Sequence, residues 1–533
     1  MIFSKEYPTG VIVRTCKVGG VFLLTILSVF TASAQLSPGL LQQYLLDNLD
    51  RKELKINYQE EIRDFYPRIN YQPVWMQQEK TINLACLLDN LSSSPKWGLR
   101  EKDYQYSFIS AFKNGTLRLQ NLGDSLKAEV LISDAAIHFY SDIAYGNAKP
   151  SLGYMGIKYA PDCCKIPASL AEYILENKIH FLASFLSPPM EEVKVIGDKI
   201  NWITEVMEKK DFSEKIIISK KVNTENKSLW QKLYQLGILD STNEDTSEKS
   251  LKQKIEEAQL MFNLSVNGEL NQEIIRECNV LLKVRLDQLA LSINYYRWLS
   301  CLTQNQSVIV VNIPAAYLKV YRDNKVILEM RIVVGKPSTP TFTLASTVNE
   351  VILYPFWHVP LSIAAKELLP AIKRDPSFLD ANNYQVLNKS GQTIDPHSVN
   401  WYALSRNYFP YTIRQGTGCD NALGLLKLNF HNPFGAYLHD TPDKNLFKRR
   451  RRFYSHGCMR MEKPMELGHL VLNNNHLAID TLTEAGCLKN QSPITVPADV
   501  KMPVIVWYNT SGVDSSGHVV FFEDVYKKKN WSK

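Results

Sequence analysis

Near residue 305 the hydrophobic period of this chain changes, and that change sets the outline of the fold. Upstream, apolar residues recur at helical spacing. Leu84, Leu88 and Leu91 share a helix face, and Ala135-Ala136-Ile137-His138-Phe139-Tyr140 continues to a stop at Gly146. Leu229, Leu233 and Leu236 line a further helix that ends at Gly237, and Leu251, Ile255, Ala258 and Phe262 line the next. Asn267-Gly268 marks a turn, and Ile274, Ile275 and Cys278 open a third helix. Residues 284–304 read as a linking helix. Downstream, residues 308–313, 317–321 and 326–334 are rich in β-branched and aromatic residues, with a turn at Asp323-Asn324. Residues 361–412 interrupt the β pattern with a helical and loop insertion, 463–480 read as a helix, and 501–525 return to strand. The expected class is α+β and multidomain.

A chain of 533 residues exceeds one ordinary core, so two to four domains are expected. With 45% hydrophobic and 22% charged residues it has the composition of a soluble globular protein. A net charge of +7 suits contact with an anionic polymer and does not call for nucleic acid. Lys5, Arg14 and Lys17 precede an apolar run over 18–30, and Thr31-Ala32-Ser33-Ala34 supplies an A-x-A cleavage site. Residues 1–34 therefore read as a signal peptide and Gln35 as the first mature residue, with an uncleaved anchor as the alternative. The run is short for a spanning helix.

Of the nine cysteines, eight follow that segment: Cys86, Cys163, Cys164, Cys278, Cys301, Cys419, Cys458 and Cys487. Most are expected to be buried thiols, since a disulfide framework is denser in small domains. Adjacent Cys163 and Cys164 are poorly placed to bridge each other. Cys419 falls near the presumed cleft, where oxidation would let it interfere with Cys458.

The chemistry concentrates in Ser455-His456-Gly457-Cys458-Met459-Arg460, with His439 upstream in Tyr437-Leu438-His439-Asp440-Thr441-Pro442. A thiol, two imidazoles and a guanidinium lie within a short stretch, and the intervening residues are long enough to fold His439 back onto Cys458. An imidazole that takes the thiol proton leaves a thiolate nucleophile. The N–H groups of Cys458 and Gly457, or the ring of His456, are candidate oxyanion donors. Gly457 permits close approach or positive φ. Arg460 suits a substrate carboxylate, and in a strand it shares a face with Cys458. Asp440 or a backbone carbonyl could orient His439. An inert structural cysteine and a metal site of His439, His456, Cys458 and His431 remain alternatives, although no C-x₂-C or H-x₃-H spacing accompanies them. No cofactor or metal is expected.

These residues resemble the active-site signature of the L,D-transpeptidases, the YkuD-type catalytic domain. Arg414-Gln415-Gly416-Thr417-Gly418, Asn421-Ala422-Leu423-Gly424, Lys427, Asn432-Pro433, Leu446-Phe447, Val334-Gly335-Lys336-Pro337 and Pro355-Phe356-Trp357-His358-Val359-Pro360 resemble its long, YcbB-like branch. The resemblance covers most of residues 40–525 and is strongest over 306–475. Thr417 stands where the family often has Pro, and Leu428 where Phe is expected, which puts only details of the cleft wall in doubt.

The resemblance implies a signal peptide (1–34), a helical scaffold domain (36–226) and a three-helix peptidoglycan-binding-like domain (227–283). A linker helix (284–305) leads to a mostly β catalytic domain (306–485) with a capping insertion near 361–412, and 486–533 complete the fold. It also implies Cys458 as nucleophile, His439 as base, His456 and Gly457 as accessory groups, and Tyr437, Trp357 and Arg460 as cleft residues. The implied activity is 3→3 crosslinking of peptidoglycan through a thioester, open to acylation by carbapenems and serving wall organisation and cell shape. An L,D-carboxypeptidase, a protein-to-wall attachment enzyme and a non-catalytic wall scaffold are the alternatives. Stem peptides and glycan are the implied partners, with other wall synthases beside them, in the periplasm or cell envelope. Contact with the membrane is expected only through the N-terminal segment. Lys448-Arg449-Arg450-Arg451-Arg452 is expected to be a solvated loop or an attractor of carboxylates, and the export signal argues against nucleic acid.

Overall fold

The computed structural model describes residues 36–76, 81–214, 227–240, 248–473, 479–480, 482 and 491–528. Residues 1–34, expected to be a signal peptide, and Cys487 lie outside them. The class is α+β, as expected. Seven helices form the N-terminal region: α1 (Pro38–Asn48), α2 (Gln59–Arg68), α3 (Thr81–Ser92), α4 (Tyr106–Lys113), α5 (Leu122–Tyr145), α6 (Ile166–Leu175) and α7 (Ile179–Leu186). They share one core, with α5 at its centre. Gly146 ends α5 with φ +79°.

Two buried carboxylates on α5 organise the loops around it. Glu129 accepts the N–H groups of Val74, Trp75 and Met76 at 2.7, 3.1 and 3.1 Å. Asp134 accepts those of Asn57 and Tyr58. Each satisfies backbone donors that would otherwise be buried unpaired.

A second core joins α8 (Glu191–Met207), α9 (Lys227–Gln235), α10 (Glu248–Met261), α11 (Gln272–Cys278) and α12 (Leu282–Thr303) to one face of the β region. The three helices after 227 share this core with α8, which also packs against the turn at Ser94–Trp97. The expected linker, α12, is buried along most of its length: Leu289, Ile293 and Leu299 are inaccessible, and so is Arg297. It is the common pillar of the second core.

The strands are β1 (Tyr154–Met155), β2 (Val308–Asn312), β3 (Tyr317–Arg322), β4 (Lys325–Gly335), β5 (Leu344–Leu353), β6 (Trp357–His358), β7 (Tyr384–Leu387), β8 (Thr393–Ile394), β9 (Thr412–Gln415), β10 (Leu426–Phe430), β11 (Leu438–His439), β12 (Phe453–Ser455), β13 (Met459–Met461), β14 (Ile494–Pro497), β15 (Pro503–Trp507), β16 (Ser511–Val513) and β17 (Val519–Phe521). The main sheet runs β1-β5-β10-β11-β13-β4-β3-β2-β15, and β15 pairs again with β5, so the sheet closes on itself. Its interior holds Ile309, Leu318, Ile332, Leu426, Leu428, Leu438, Met459 and Met461. Val308 and Val310 point the other way, into the core beneath α12. Strand β2 is apolar at successive positions because both of its faces are buried.

Residues between 357 and 415 form a separate small unit. Its sheet runs β6-β9-β7-β8, and it has its own core around Ile372, Leu379, Val386 and Ile413. Its helical arm starts as α13 (Leu361–Ile363), widens to a π-turn over Ala364–Leu368 and continues as α14 (Leu369–Arg374). A short α15 (Phe378–Ala381) follows. The helix after the signature strand, α16 (Pro464–Val471), stops well before 480, and residues 474–478 lie outside those described.

Two further expectations change. Cys163 is bridged to Cys301 and Cys419 is also disulfide-bonded, so these are not thiols. Cys278 and Cys458 carry free thiols. The basic run is turned inward only in part: Lys448, Arg449 and Arg451 are exposed, as expected of a solvated loop, while Arg450 and Arg452 are not. Arg452 is buried and donates to the carbonyls of Ala315, Ala316, Ile332, Arg449 and Arg450. Arg450 reaches Glu273 and the Asn263 carbonyl, and Arg451 reaches Glu523. The run clasps α11 and the loop ahead of it onto the sheet. Among the described residues, no helix is long and apolar enough to cross a membrane.

Candidate active site

Sheet register assembles the site. Lys427 on β10 pairs with His439 on β11, and His439 pairs with Arg460 on β13. Cross-strand partners share a face, so these three side chains form a row. Their neighbours Leu426, Leu428, Leu438, Met459 and Met461 alternate to the opposite face and fill the interior. Tyr437 and Cys458 lie two residues before His439 and Arg460, on the same side as the row.

The turn carrying Cys458 is held from three sides. Ser455 Oγ accepts the Gly457 N–H at 3.2 Å and donates to the Cys458 carbonyl. Thr341 Oγ1 donates to the Gly457 carbonyl at 2.9 Å, and Thr339 Oγ1 to the Ser455 carbonyl at 3.1 Å. Gly457 has φ +115°, a region closed to ordinary side chains. Its N–H is engaged by Ser455, whereas the Cys458 N–H has no acceptor recorded among the described residues. Of the two backbone N–H groups expected as oxyanion donors beside the His456 ring, that of Gly457 is thus already engaged.

His439 is buried, and its Nδ1 lies 2.6 Å from the Asp440 carbonyl oxygen. Nδ1 thus carries the proton and Nε2 is left to accept one. Of the two orienting groups considered, the backbone carbonyl is the one used. The Asp440 carboxylate instead braces the loop, accepting the N–H groups of Leu425 and Thr441 and pairing with Lys444. Gly424 faces that carboxylate at φ +61°, and a Cβ there would stand 2.3 Å from Asp440 Oδ2.

Burial, with Arg460 and Lys427 adding positive charge, pushes His439 down to about 3, against the pull of the Asp440 carbonyl. The imidazole is neutral at physiological pH. Burial raises the Cys458 thiol, while the Tyr437 N–H and hydroxyl, then Lys427 and Arg460, favour its thiolate. The thiol also approaches the Gly435 carbonyl at 3.9 Å. Trp357, from β6 of the small unit, acts on the Tyr437 hydroxyl. Burial lowers Arg460, and its Nε finds no hydrogen-bond partner among the described residues.

His456 points away from this row and pairs with Glu367 of the π-turn at 2.7 Å. The structure brings together Cys458, His439, Tyr437, Trp357 and Arg460, and sets His456 at the contact with the insertion. Sequence reading missed Glu367, whose one signal is that it is the single carboxylate of the helical arm over 361–374. It named Lys427 without a role. Among the described residues, no group of three or more His, Cys, Asp or Glu converges in a way that could hold a metal ion. His431 lies beside Tyr154 instead.

Residues 306–505 match the YkuD family, the L,D-transpeptidase catalytic domain, and residues 60–192 match a scaffold domain. Over residues 306–505 the chain is thus similar to L,D-transpeptidase catalytic domains. A putative L,D-transpeptidase of Haemophilus influenzae is 36% identical over 219 residues, which is 41% of this chain and 44% of that protein. The match thus spans less than half the length of that curated relative. An L,D-transpeptidase from Mycobacterium smegmatis shares 15% identity over 38% of this chain and 58% of its own, with a TM-score of 0.17. L,D-transpeptidase 1 of Mycobacterium tuberculosis shares 14% over 38% and 60%, with a TM-score of 0.15. Structural overlap this low carries no argument. The likeness to L,D-transpeptidases rests on the family match over 306–505 and on the curated relative.

Proposed function

We propose that this chain is a cysteine-dependent L,D-transpeptidase that forms 3→3 crosslinks in peptidoglycan through a thioester on Cys458. The observation that carries the reading is the single sheet face bearing His439, Arg460, Tyr437 and Cys458, with His439 Nδ1 committed to a backbone carbonyl. The Cys458 proton passes to His439 Nε2. The sulfur attacks the carbonyl of the third, diamino-acid residue of a tetrapeptide stem, and the C–N bond to the terminal D-Ala breaks. The departing amine takes the proton from His439. The side-chain amine of a second stem then attacks the thioester, gives up a proton to His439, and restores the thiol. The Cys458 N–H is the oxyanion donor. The unpaired Nε of Arg460 suits a stem carboxylate. Carbapenems are expected to acylate the same sulfur.

Such a substrate lies outside the inner membrane, so the reading includes export to the periplasm by way of residues 1–34. The Cys163–Cys301 bridge favours an oxidising compartment. The test is incubation of residues 36–533 with disaccharide-tetrapeptide, followed by mass spectrometry, with Cys458→Ala in parallel. A crosslinked dimer that has lost D-Ala, absent in the variant, is the expected result. Tripeptide alone would make water the acceptor and the enzyme an L,D-carboxypeptidase. No product from either sample, with matched diamino acid, would overturn the reading in favour of a wall-binding protein.

A further inference from the structure

Lys427 takes no part in the steps above, yet its placement is costly. It is half-buried, and burial pulls its ammonium below the ordinary lysine value. Among the described residues it forms no ion pair. The charged and titratable groups facing it are Glu350 from β5, His358 from β6, Tyr437 and His439 at β11, and Cys458 and Arg460 at β13. Glu350 accepts a hydrogen bond from Asn429 at 2.7 Å and acts on Lys427 only through space. A desolvated cation without a partner is destabilising unless an anion forms beside it. Of the facing groups, Cys458 alone gains negative charge in the reaction.

The geometry supplies the coupling. Lys427 Nζ sits 4.2 Å from the centroid of the Tyr437 ring, a cation–π contact. That ring stands edge-on to His439 at 5.4 Å, and its hydroxyl lies where it favours the Cys458 thiolate. We propose that Lys427, seated on Tyr437, is a positioning residue that keeps the Tyr437 hydroxyl on the Cys458 sulfur and supplies the positive potential that stabilises the thiolate. The inference rests on Cys458 being the nucleophile. No bond to Lys427 forms or breaks, and its ammonium keeps its three protons. The same charge opposes an imidazolium at His439. The pair is thereby biased towards thiolate with neutral imidazole, and His439 passes the proton on rather than holding it.

The test reads the thiolate without any wall substrate, so its failure is separable from failure of the crosslinking assay. In the full chain, alkylation of the Cys458 peptide by iodoacetamide is followed by mass spectrometry against pH. For Lys427→Met the midpoint is expected to rise by about one unit, which slows alkylation about tenfold at neutral pH. Lys427→Arg restores most of the rate. Tyr437→Phe, which keeps the ring and removes the hydroxyl, also raises the midpoint. Should Lys427→Met fail to show a native thermal transition, Lys427→Gln takes its place. An unchanged midpoint in the folded Met or Gln variant overturns the proposal. So does a higher KM for the stem peptide with an unmoved midpoint, which would make Lys427 a substrate contact.

Discussion

At the scale of single residues, the site works because charge is placed where water is scarce. His439 illustrates the consequence for stability. Its folded-state value is about 3, below the ordinary value of 6.5. The unfolded chain therefore binds the proton more tightly between those values. The contribution of His439 to stability is fully present above pH 6.5 and is lost as pH falls towards 3, by up to about 1.4 kcal/mol per unit. In His439→Gln that acid-dependent loss should be smaller. Denaturant melts at pH 7, 5.5 and 4 check this, and parallel pH profiles for the two proteins would refute it. Asp440 offers a second case. Removing its carboxylate in Asp440→Ala leaves the N–H groups of Leu425 and Thr441 without their acceptor, at a cost of about 1–3 kcal/mol each. Because the same loop presents the carbonyl that orients His439, turnover should fall with stability, measured by urea melts beside the crosslinking assay.

At the scale of elements, the insertion is tied to the turn ahead of Cys458 by Glu367 and His456. Both are partly exposed, so the pair adds little to global stability. Its effect is local: it holds a π-turn against the loop that carries Cys458. Glu367→Gln should leave the thermal midpoint within about 1 °C while hydrogen exchange over residues 361–374 speeds up severalfold. Unchanged exchange there would mean that the arm is held by its own core alone. This contact also shows what the sequence could reveal. The alternation Leu426-Lys427-Leu428-Asn429-Phe430 is legible as a half-buried strand, and the signature from Tyr437 to Arg460 is compact enough to read directly. Which residue stands opposite His439 is not legible, because register between β10 and β11 depends on non-local pairing. Part of the basic run defeated local reading for the same reason. The partners of Arg450 and Arg451 are Glu273 and Glu523, and Arg452 is taken up by carbonyls more than a hundred residues away. Without those partners, five consecutive cations read as solvated.

At the scale of the whole molecule, two cores meet at α12, and the N-terminal helices are attached to the rest by few but specific links. Strand β1 pairs in parallel with β5, and the Gly153 and Gly156 N–H groups bond to the carbonyls of Thr343 and Ala345. The Cys163–Cys301 bridge fastens the loop after β1 to α12 across 138 residues of sequence. That bridge lies between the cores, so it stabilises their union more than either one. A crosslink closing so long a loop contributes about 2–5 kcal/mol by restricting the unfolded chain. Each core retains its own buried apolar residues without it. Cys301→Ser should therefore lower the midpoint of the N-terminal core and split one calorimetric transition into two, with the earlier belonging to residues 36–186. The sulfur of Cys458 should keep its alkylation rate, because the site is built on strands of the later-melting core. A single transition shifted as a whole would mean that the β1–β5 pairing and the packing of α5 against α12 hold the cores together without the disulfide.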